Sequence, residues 1–309
     1  MLVSSLLAPA SDNLVGGLQG TDVHRSLSHL QWGLNLVTQS QPKPPRVKAY
    51  LLSTGGRELP VLQDTGLVMQ GLHRVRNLDP ANVYTRTGKI VDYTFDGFFD
   101  PTDIREGGLL ALTISGHGKR VCGDDVSLQL QTQDGTPVNS SMLQRKIMAL
   151  PSHCTLEVIV DTCFAEDLIP GLRRILTTES PGPPTFPTAN DMSRSIATST
   201  LPAGTIARSK YKAKVVVWAA STKWGSAYPE ADLPGKPGVY STMIGVFSNE
   251  RNISRQHIWE SVLKAVEEQN DARSKRDLNK SPEDRAKLVK ANRIQRPILL
   301  TSVEDSVRP

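Results

Sequence analysis

The chain has 309 residues, 38% hydrophobic and 22% charged, with a formal net charge of +5. Those values exclude a disordered or collagen-like chain. They are also too mildly basic to mark a nucleic-acid binder, which gathers Lys and Arg on one face or in a run. The densest basic stretch, 273–296, is interleaved with Asp277, Glu283 and Asp284, as a solvated helical surface is.

Residues 1–45 carry little charge and no sustained periodicity, and end in Gln-Pro-Lys-Pro-Pro. They read as a flexible leader and linker, with a short helix over 24–37. The apolar start at 2–10 ends in Ala-Pro-Ala but has no basic n-region, so it is not read as a signal peptide. Order begins with VKAYLLS at 47–53, a strand. Apolar residues at Leu62, Leu67, Met69, Leu72 and Val75 predict a helix over 62–76. A second strand follows at 82–87. LLALTIS at 109–115 is nearly continuous in apolar residues, which fits a strand covered on both faces.

Residues 126–131 alternate and fit an edge hairpin strand. A helix is expected over 139–150, a buried strand over 156–160 and a further helix over 168–176. From 177 to 209 Ser, Thr and Pro dominate and periodicity disappears. A stretch of that length without elements of its own is functional or disordered in most compact domains. KVVVWAA at 214–220 is a strong strand. Helices are expected over 238–247 and 254–269, the second with Ile258, Val262 and Val266 on one stripe. Ser281-Pro282-Glu283-Asp284 starts another helix, with Ser as N-cap, Pro first and acids in the first turn. PILLT at 297–301 is the last strand. Strands alternate with helices and no internal repeat is visible, which argues for an α/β fold with a sheet layered between helices.

The three cysteines, Cys122, Cys154 and Cys163, form neither a CxxC pair nor a disulfide framework. Free thiols and a reducing, cytoplasmic compartment are expected. No apolar run reaches membrane-spanning length, so no membrane partner is expected.

Two strand ends carry reactive side chains. One strand runs into Ser115-Gly116-His117-Gly118 and another into Asp161-Thr162-Cys163. In open α/β sheets ligand sites gather at the carboxyl ends of strands. A thiol becomes an effective nucleophile beside a base or cation, and His is the usual one. The flanking glycines allow tight turns and close backbone approach, leaving N–H groups to bind an oxyanion. No GxSxG and no GxxxxGK[ST] occurs, so neither serine-elbow nor phosphate-loop chemistry has support.

With SGHG ahead of DTC at close to the spacing of about 50 residues that separates His and Cys in caspases, the chain resembles the caspase/metacaspase family of cysteine peptidases (peptidase C14 type). The resemblance runs from about Val47 to Thr301. It includes Val215–Ser221 and, further on, Gly238-Val239-Tyr240-Ser241-Thr242, which look like the start of a small-subunit half. It implies a caspase-like α/β sandwich, a mainly parallel central sheet flanked by helices. The domain would span 46–303, with a large half 46–176, an interdomain loop 177–210 and a small half 211–303.

The same resemblance implies roles. Cys163 would attack the scissile carbonyl and His117 would protonate the leaving amine. The backbone N–H groups of Gly118 and Cys163 would form the oxyanion hole. Metacaspases use an acidic pocket for the residue before the scissile bond; here Asp64, Ser115 and Asp161 would supply it, which implies cleavage of protein or peptide substrates after Arg or Lys. Arg194, Arg208, Lys210 and Lys212 lie where family members are cut into two subunits. No cofactor is required. Calcium, used by many metacaspases, would have only Asp124, Asp125 and Asp167 as obvious ligands, and adjacent Asp residues are more often turn formers.

Phe164 and Ala165 stand where metacaspases have His-Ser, and Lys119 where a second Gly is common. Those departures keep a catalytically inactive caspase-like scaffold as the alternative. Taken singly, each feature has a plain reading. A Cys ending an apolar strand is usually a small core residue, and Asp161 or Asp64 could cap or decorate a helix.

Overall fold

A buried run of seven residues, VKAYLLS, forms the first strand, β1 (Val47–Ser53), and the rest of the sheet assembles around it. The computed structural model describes residues 44–53, 61–72, 78–121, 125–177, 210–228, 255–290 and 294–303. All of these belong to one compact unit, Pro42–Pro309. The expected helices over 24–37 and 238–247 lie outside the described residues.

The strands that follow are β2 (Val83–Thr87), β3 (Leu109–Ser115), β4 (Gly118–Arg120), β5 (Val126–Gln131), β6 (Pro137–Asn139), β7 (Thr155–Asp161), β8 (Arg173–Thr177), β9 (Lys214–Ala219) and β10 (Ile298–Thr301). The helices are α1 (Val61–Leu72), α2 (Asp92–Phe99), α3 (Ser140–Ala149), α4 (Arg255–Leu278) and α5 (Pro282–Lys290). Seven strands make the main sheet in the order β2-β1-β3-β7-β9-β10-β8. The pairs β2/β1, β1/β3, β3/β7 and β7/β9 are parallel. β10 runs antiparallel to both β9 and β8, so it is the one reversed strand. A small antiparallel sheet, β4-β5-β6, stands beside it. The fold is thus an α/β sandwich with a mainly parallel central sheet.

The near-continuous apolar strands are explained by cover on both faces. Tyr50 and Leu52, Leu112 and Ile114, Val158 and Val160, and Val217 and Ala219 share one core with Phe95, Phe98 and Phe99 of α2 and Leu143 and Ile147 of α3. On the other face Ala49 and Leu51 meet Val68 of α1. Further along that face Val216, Trp218 and Leu299 meet Ile258, Trp259, Val262 and Val266 of α4. Removing one of the large aromatic anchors costs about 3–5 kcal/mol in such a core. The buried Lys48 completes this packing: its ammonium donates to the carbonyl of Gly97 at 2.7 Å and pairs with Asp103 at 2.8 Å, tying β1 to α2.

Several elements differ from the sequence expectation. The helix expected over 168–176 is instead a short 3₁₀ turn, Ala165–Leu168, followed by strand β8. Pro170-Gly171 breaks any helix there, and Gly171 takes a positive φ of 84°. α4 runs to Leu278 rather than ending near 269. Its buried stripe continues past Val266 in polar residues, Gln269 and Arg273. α2 and the short strands β4, β6 and β8 were not foreseen. The helix starts were better marked. Asn139 accepts the Met142 N–H at 2.9 Å at the start of α3, and Ser281 accepts the Asp284 N–H at 3.2 Å at the start of α5.

Candidate active site

Strands β3 and β7 are hydrogen-bonded neighbours in register, with Ser115 opposite Asp161. His117 and Cys163 each follow that pair by two residues, so both leave the carboxyl edge of the sheet at the same level. The turn after β3 begins with Gly116, whose φ of 131° is rarely adopted by any other residue. Its N–H donates to the Asp161 carbonyl at 3.0 Å, stitching the two turns together. His117 is half-buried, and its carbonyl accepts the Gln129 N–H at 3.2 Å. Gly118 then starts β4, which pairs with β5.

Gly118 lies against the backbone of Cys163. A Cβ there would sit 2.4 Å from the Cys163 carbonyl oxygen and 3.2 Å from the Thr162 hydroxyl. Only glycine fits, which brings together the backbones of the two residues expected to donate to an oxyanion.

The turn after β7 is held by the loop that follows its other neighbour, β9, and by β8. Phe164 has the left-handed backbone conformation, φ 58° and ψ 29°, and its N–H donates to the Gly225 carbonyl at 3.1 Å. The Ser221 hydroxyl accepts the Ala165 N–H at 3.0 Å and donates to the Thr162 carbonyl at 2.9 Å. Ala165 is fully buried, so a larger residue has no room there. The Glu166 carboxylate accepts two hydrogen bonds from Arg174 of β8, at 2.6 and 2.8 Å, and one from the Lys223 N–H at 2.7 Å. Cys163 itself is half-buried, with its thiol 3.8 Å from the Ala227 carbonyl.

The segment 220–228 that makes these contacts is itself clamped. Gln295 donates to the Ala220 carbonyl at 3.1 Å and accepts the Tyr228 N–H at 3.3 Å. Asn270 and Gln295 exchange two backbone-to-side-chain hydrogen bonds at 2.9 Å. The Arg273 guanidinium lies 4.3 Å over the Tyr228 ring.

The remaining expected site residues fall as follows. Ser115 is buried and Asp161 half-buried at the two strand ends. Asp64 lies on α1, and its side chain is outside the described residues. Asp124 and Cys122 are outside them too. Asp125 accepts from the Ser141 N–H and from the Asn139 amide, which ties the loop to the start of α3. Asp167 pairs with Arg120 at 2.6 Å. Among the described residues no group of three or more His, Cys, Asp or Glu side chains could hold a metal ion. Cys154 is a core residue: burial pushes its thiol up in pKa, away from the reactive thiolate.

The supporting residues Arg120, Glu166, Ser221, Ala227 and Gln295 were not found from the sequence. Each acts through a partner distant in the chain, and apart from Ser221, which ends the 215–221 segment of the resemblance, none sits in a recognisable motif. Among the described residues no helix is long and apolar enough to cross a membrane.

No protein-family model matches the chain, and no curated protein matches it. Solved structures do. A structural-genomics target protein from Geobacter sulfurreducens aligns with 84% of this chain and 94% of its own, at a TM-score of 0.49 and 12% identity. Caspase-1 from Spodoptera frugiperda aligns with 84% of this chain and 86% of its own, at a TM-score of 0.40 and 9% identity.

Proposed function

We propose that this chain is a caspase-like cysteine endopeptidase that uses Cys163 and His117 and cleaves after Arg or Lys. The observation that carries the reading is the pairing of the two turns. SGHG and DTC leave adjacent in-register parallel strands, and Gly118 is packed onto the Cys163 backbone. The sheet order, with five parallel strands followed by the reversed β10, agrees with the fold that the motif resemblance implies.

In this reading the Cys163 thiolate attacks the scissile carbonyl carbon and forms a tetrahedral oxyanion. N–H groups at Gly118 and Cys163 stabilise it, and donors of this kind are worth about 10²–10³ in rate. His117 gives its proton to the leaving amine as the C–N bond breaks. Water, deprotonated by His117, then releases the acyl group and restores the thiol. Asp161, with Ser115 and Asp64, would receive the cationic side chain before the scissile bond, since a charge leaving water needs a counter-charge.

Fluorogenic peptides ending in Arg, Lys or Asp, with and without calcium, test this against wild type and Cys163→Ala. Hydrolysis after Arg or Lys that disappears in the variant is expected. Hydrolysis after Asp alone would remove the acidic-pocket assignment. Silence from folded protein, including protein cut between 177 and 210, would favour the inactive scaffold. Lys210 and Lys212 are exposed just before β9 and offer the enzyme a site for its own processing. Mass spectrometry finding only intact chain in an active preparation would reject processing as a requirement.

A further inference from the structure

The segment from the end of β9 to Tyr228 is a short arch with a turn inside it, where the Gly225 N–H donates to the Thr222 carbonyl at 3.0 Å. The arch meets the Cys163 turn at four points. The Ser221 hydroxyl, the Lys223 N–H and the Gly225 carbonyl bond Ala165, Glu166 and Phe164 respectively. At the fourth point the Cys163 thiol, a weak donor, faces the Ala227 carbonyl at 3.8 Å.

Both ends of this arch are held by one side chain. Gln295 is only 3% exposed. Its Nε2 donates to the Ala220 carbonyl at 3.1 Å, and its Oε1 accepts the N–H of Tyr228, the residue after Ala227, at 3.3 Å. A carboxamide carries donor and acceptor on one carbon, so it can close the two ends at once. An ionised glutamate would lose the donor, asparagine would fall a methylene short, and methionine would offer neither group.

Gln295 is itself tied to the core. Its backbone N–H and carbonyl both pair with the Asn270 amide at 2.9 Å. Arg273 donates to the same Asn270 at 2.9 Å and lies 4.3 Å over the Tyr228 ring. Both residues belong to α4, whose Val262 and Val266 pack against β9 and β10. A buried amide ordinarily satisfies backbone groups near it in the chain. Here both side-chain partners belong to one distant arch, and that arch holds the candidate nucleophile.

We infer that Gln295 is a positioning residue for the peptidase reaction: by tying Ala220 to Tyr228 it sets the Ala227 carbonyl against the Cys163 thiol and fixes the turn that carries the nucleophile. The inference rests on the peptidase reading. Its effect falls on the reacting group, so it belongs in kcat rather than in KM.

The test compares wild type, Gln295→Met and Gln295→Glu in two assays. The first is hydrolysis of a fluorogenic peptide with Arg before the scissile bond, read as kcat and KM. The second is alkylation by iodoacetamide, with the modified cysteines assigned by mass spectrometry. It needs no peptidase activity, and the buried Cys154 reports any general opening of the core. In Gln295→Met kcat should fall about 10²-fold, as for a displacement of about 1 Å, with KM within about twofold of wild type. Alkylation of Cys163 should rise several-fold while that of Cys154 keeps the wild-type rate. Gln295→Glu keeps the acceptor for Tyr228, so it should show the same pattern at smaller size, and it carries the test where Gln295→Met does not fold. Alkylation of Cys163 that does not rise in a folded variant, or that rises equally at Cys154, overturns the inference. So does a raised KM with kcat unchanged. Wild type that cleaves no peptide, with the Cys163 alkylation difference intact, overturns the peptidase reading and leaves the hold of Gln295 on the Cys163 turn standing.

Discussion

The two turns at the carboxyl edge of the sheet are built on different principles. The Cys163 turn is bonded. Between Thr162 and Asp167 it exchanges hydrogen bonds or ion pairs with Ser221, Gly225, Lys223, Arg174 and Arg120, drawn from three strands or their loops. The His117 turn is fitted. In it the Gly116 N–H donates to the Asp161 carbonyl, the His117 carbonyl accepts from Gln129, and Gly118 approaches the Cys163 backbone closely. On the proposed reading the bonded turn would hold Cys163 to within a fraction of an ångström of its target, and the flanking glycines would leave His117 room to follow substrate and leaving group.

The sharpest way to break the comparison is Gly118→Ala. The new methyl would lie 2.4 Å from the Cys163 carbonyl, so the turns must separate. A displacement of about 1 Å costs on the order of 10²-fold in rate. We expect kcat/KM to fall by about that factor, while the thermal midpoint moves far less, because little else rests on this contact. A variant with full activity would show that the turns are not in functional contact.

Ser221→Ala should behave in the opposite way. It removes a buried hydroxyl that accepts from Ala165 and donates to Thr162, leaving a buried N–H without its partner. The expected loss is about 1–3 kcal/mol of stability, read from the denaturant midpoint. A variant as stable as wild type would mean the bonded turn does not depend on this residue. Glu166→Gln is predicted to have a smaller effect, about 1 kcal/mol, because Arg174 is partly exposed and the neutral amide still accepts one hydrogen bond. A denaturant midpoint equal to wild type, or lowered as far as in Ser221→Ala, would contradict this.

The smallest effect concerns alkaline stability in the segment leading to β9. Burial pushes the Tyr211 hydroxyl up to about 12, partly offset by a hydrogen bond with Gln144, and the hydroxyl donates to the Pro170 carbonyl. The folded pKa is above the unfolded value near 10. The contribution is therefore whole below about pH 10 and is lost as pH rises toward 12. Tyr50 is shifted in the same direction by burial. Tyr211→Phe should make the alkaline fall in the denaturant midpoint shallower without flattening it, and an unchanged slope would contradict the assignment.

What was legible in the sequence follows from these same contrasts. β1, β3, β7 and β9 announce themselves because a parallel strand covered on both faces is apolar at almost every position. His117 and Cys163 stand just past two such strands, β3 and β7, so their neighbourhood could be read from local text. α2 is hard to read from sequence because it is short and Asp96-Gly97 interrupt its apolar run, although Phe95, Phe98 and Phe99 share one helical face. β8 imitates a helix in the sequence because Leu168, Leu172, Ile175 and Leu176 fall at helical spacing, but Pro170-Gly171 breaks a helix there. The residues that hold the Cys163 turn were invisible for a different reason. Ser221, Arg174 and Arg120 gain their roles only when β9, β8 and β4 come to the same edge, and nothing local marks a serine or arginine for that task.

The central claim is that Cys163, served by His117 from the adjacent strand end, is a nucleophile with an acidic pocket in front of it. The most direct measurement is affinity labelling with a peptidyl chloromethyl ketone ending in Arg, followed by mass-spectrometric assignment of the modified residue. The account predicts one adduct, on Cys163, formed much faster than with the Asp-ending reagent and much more slowly in His117→Ala. Labelling that is indifferent to the terminal residue, or that falls equally on Cys122 or Cys154, would contradict it.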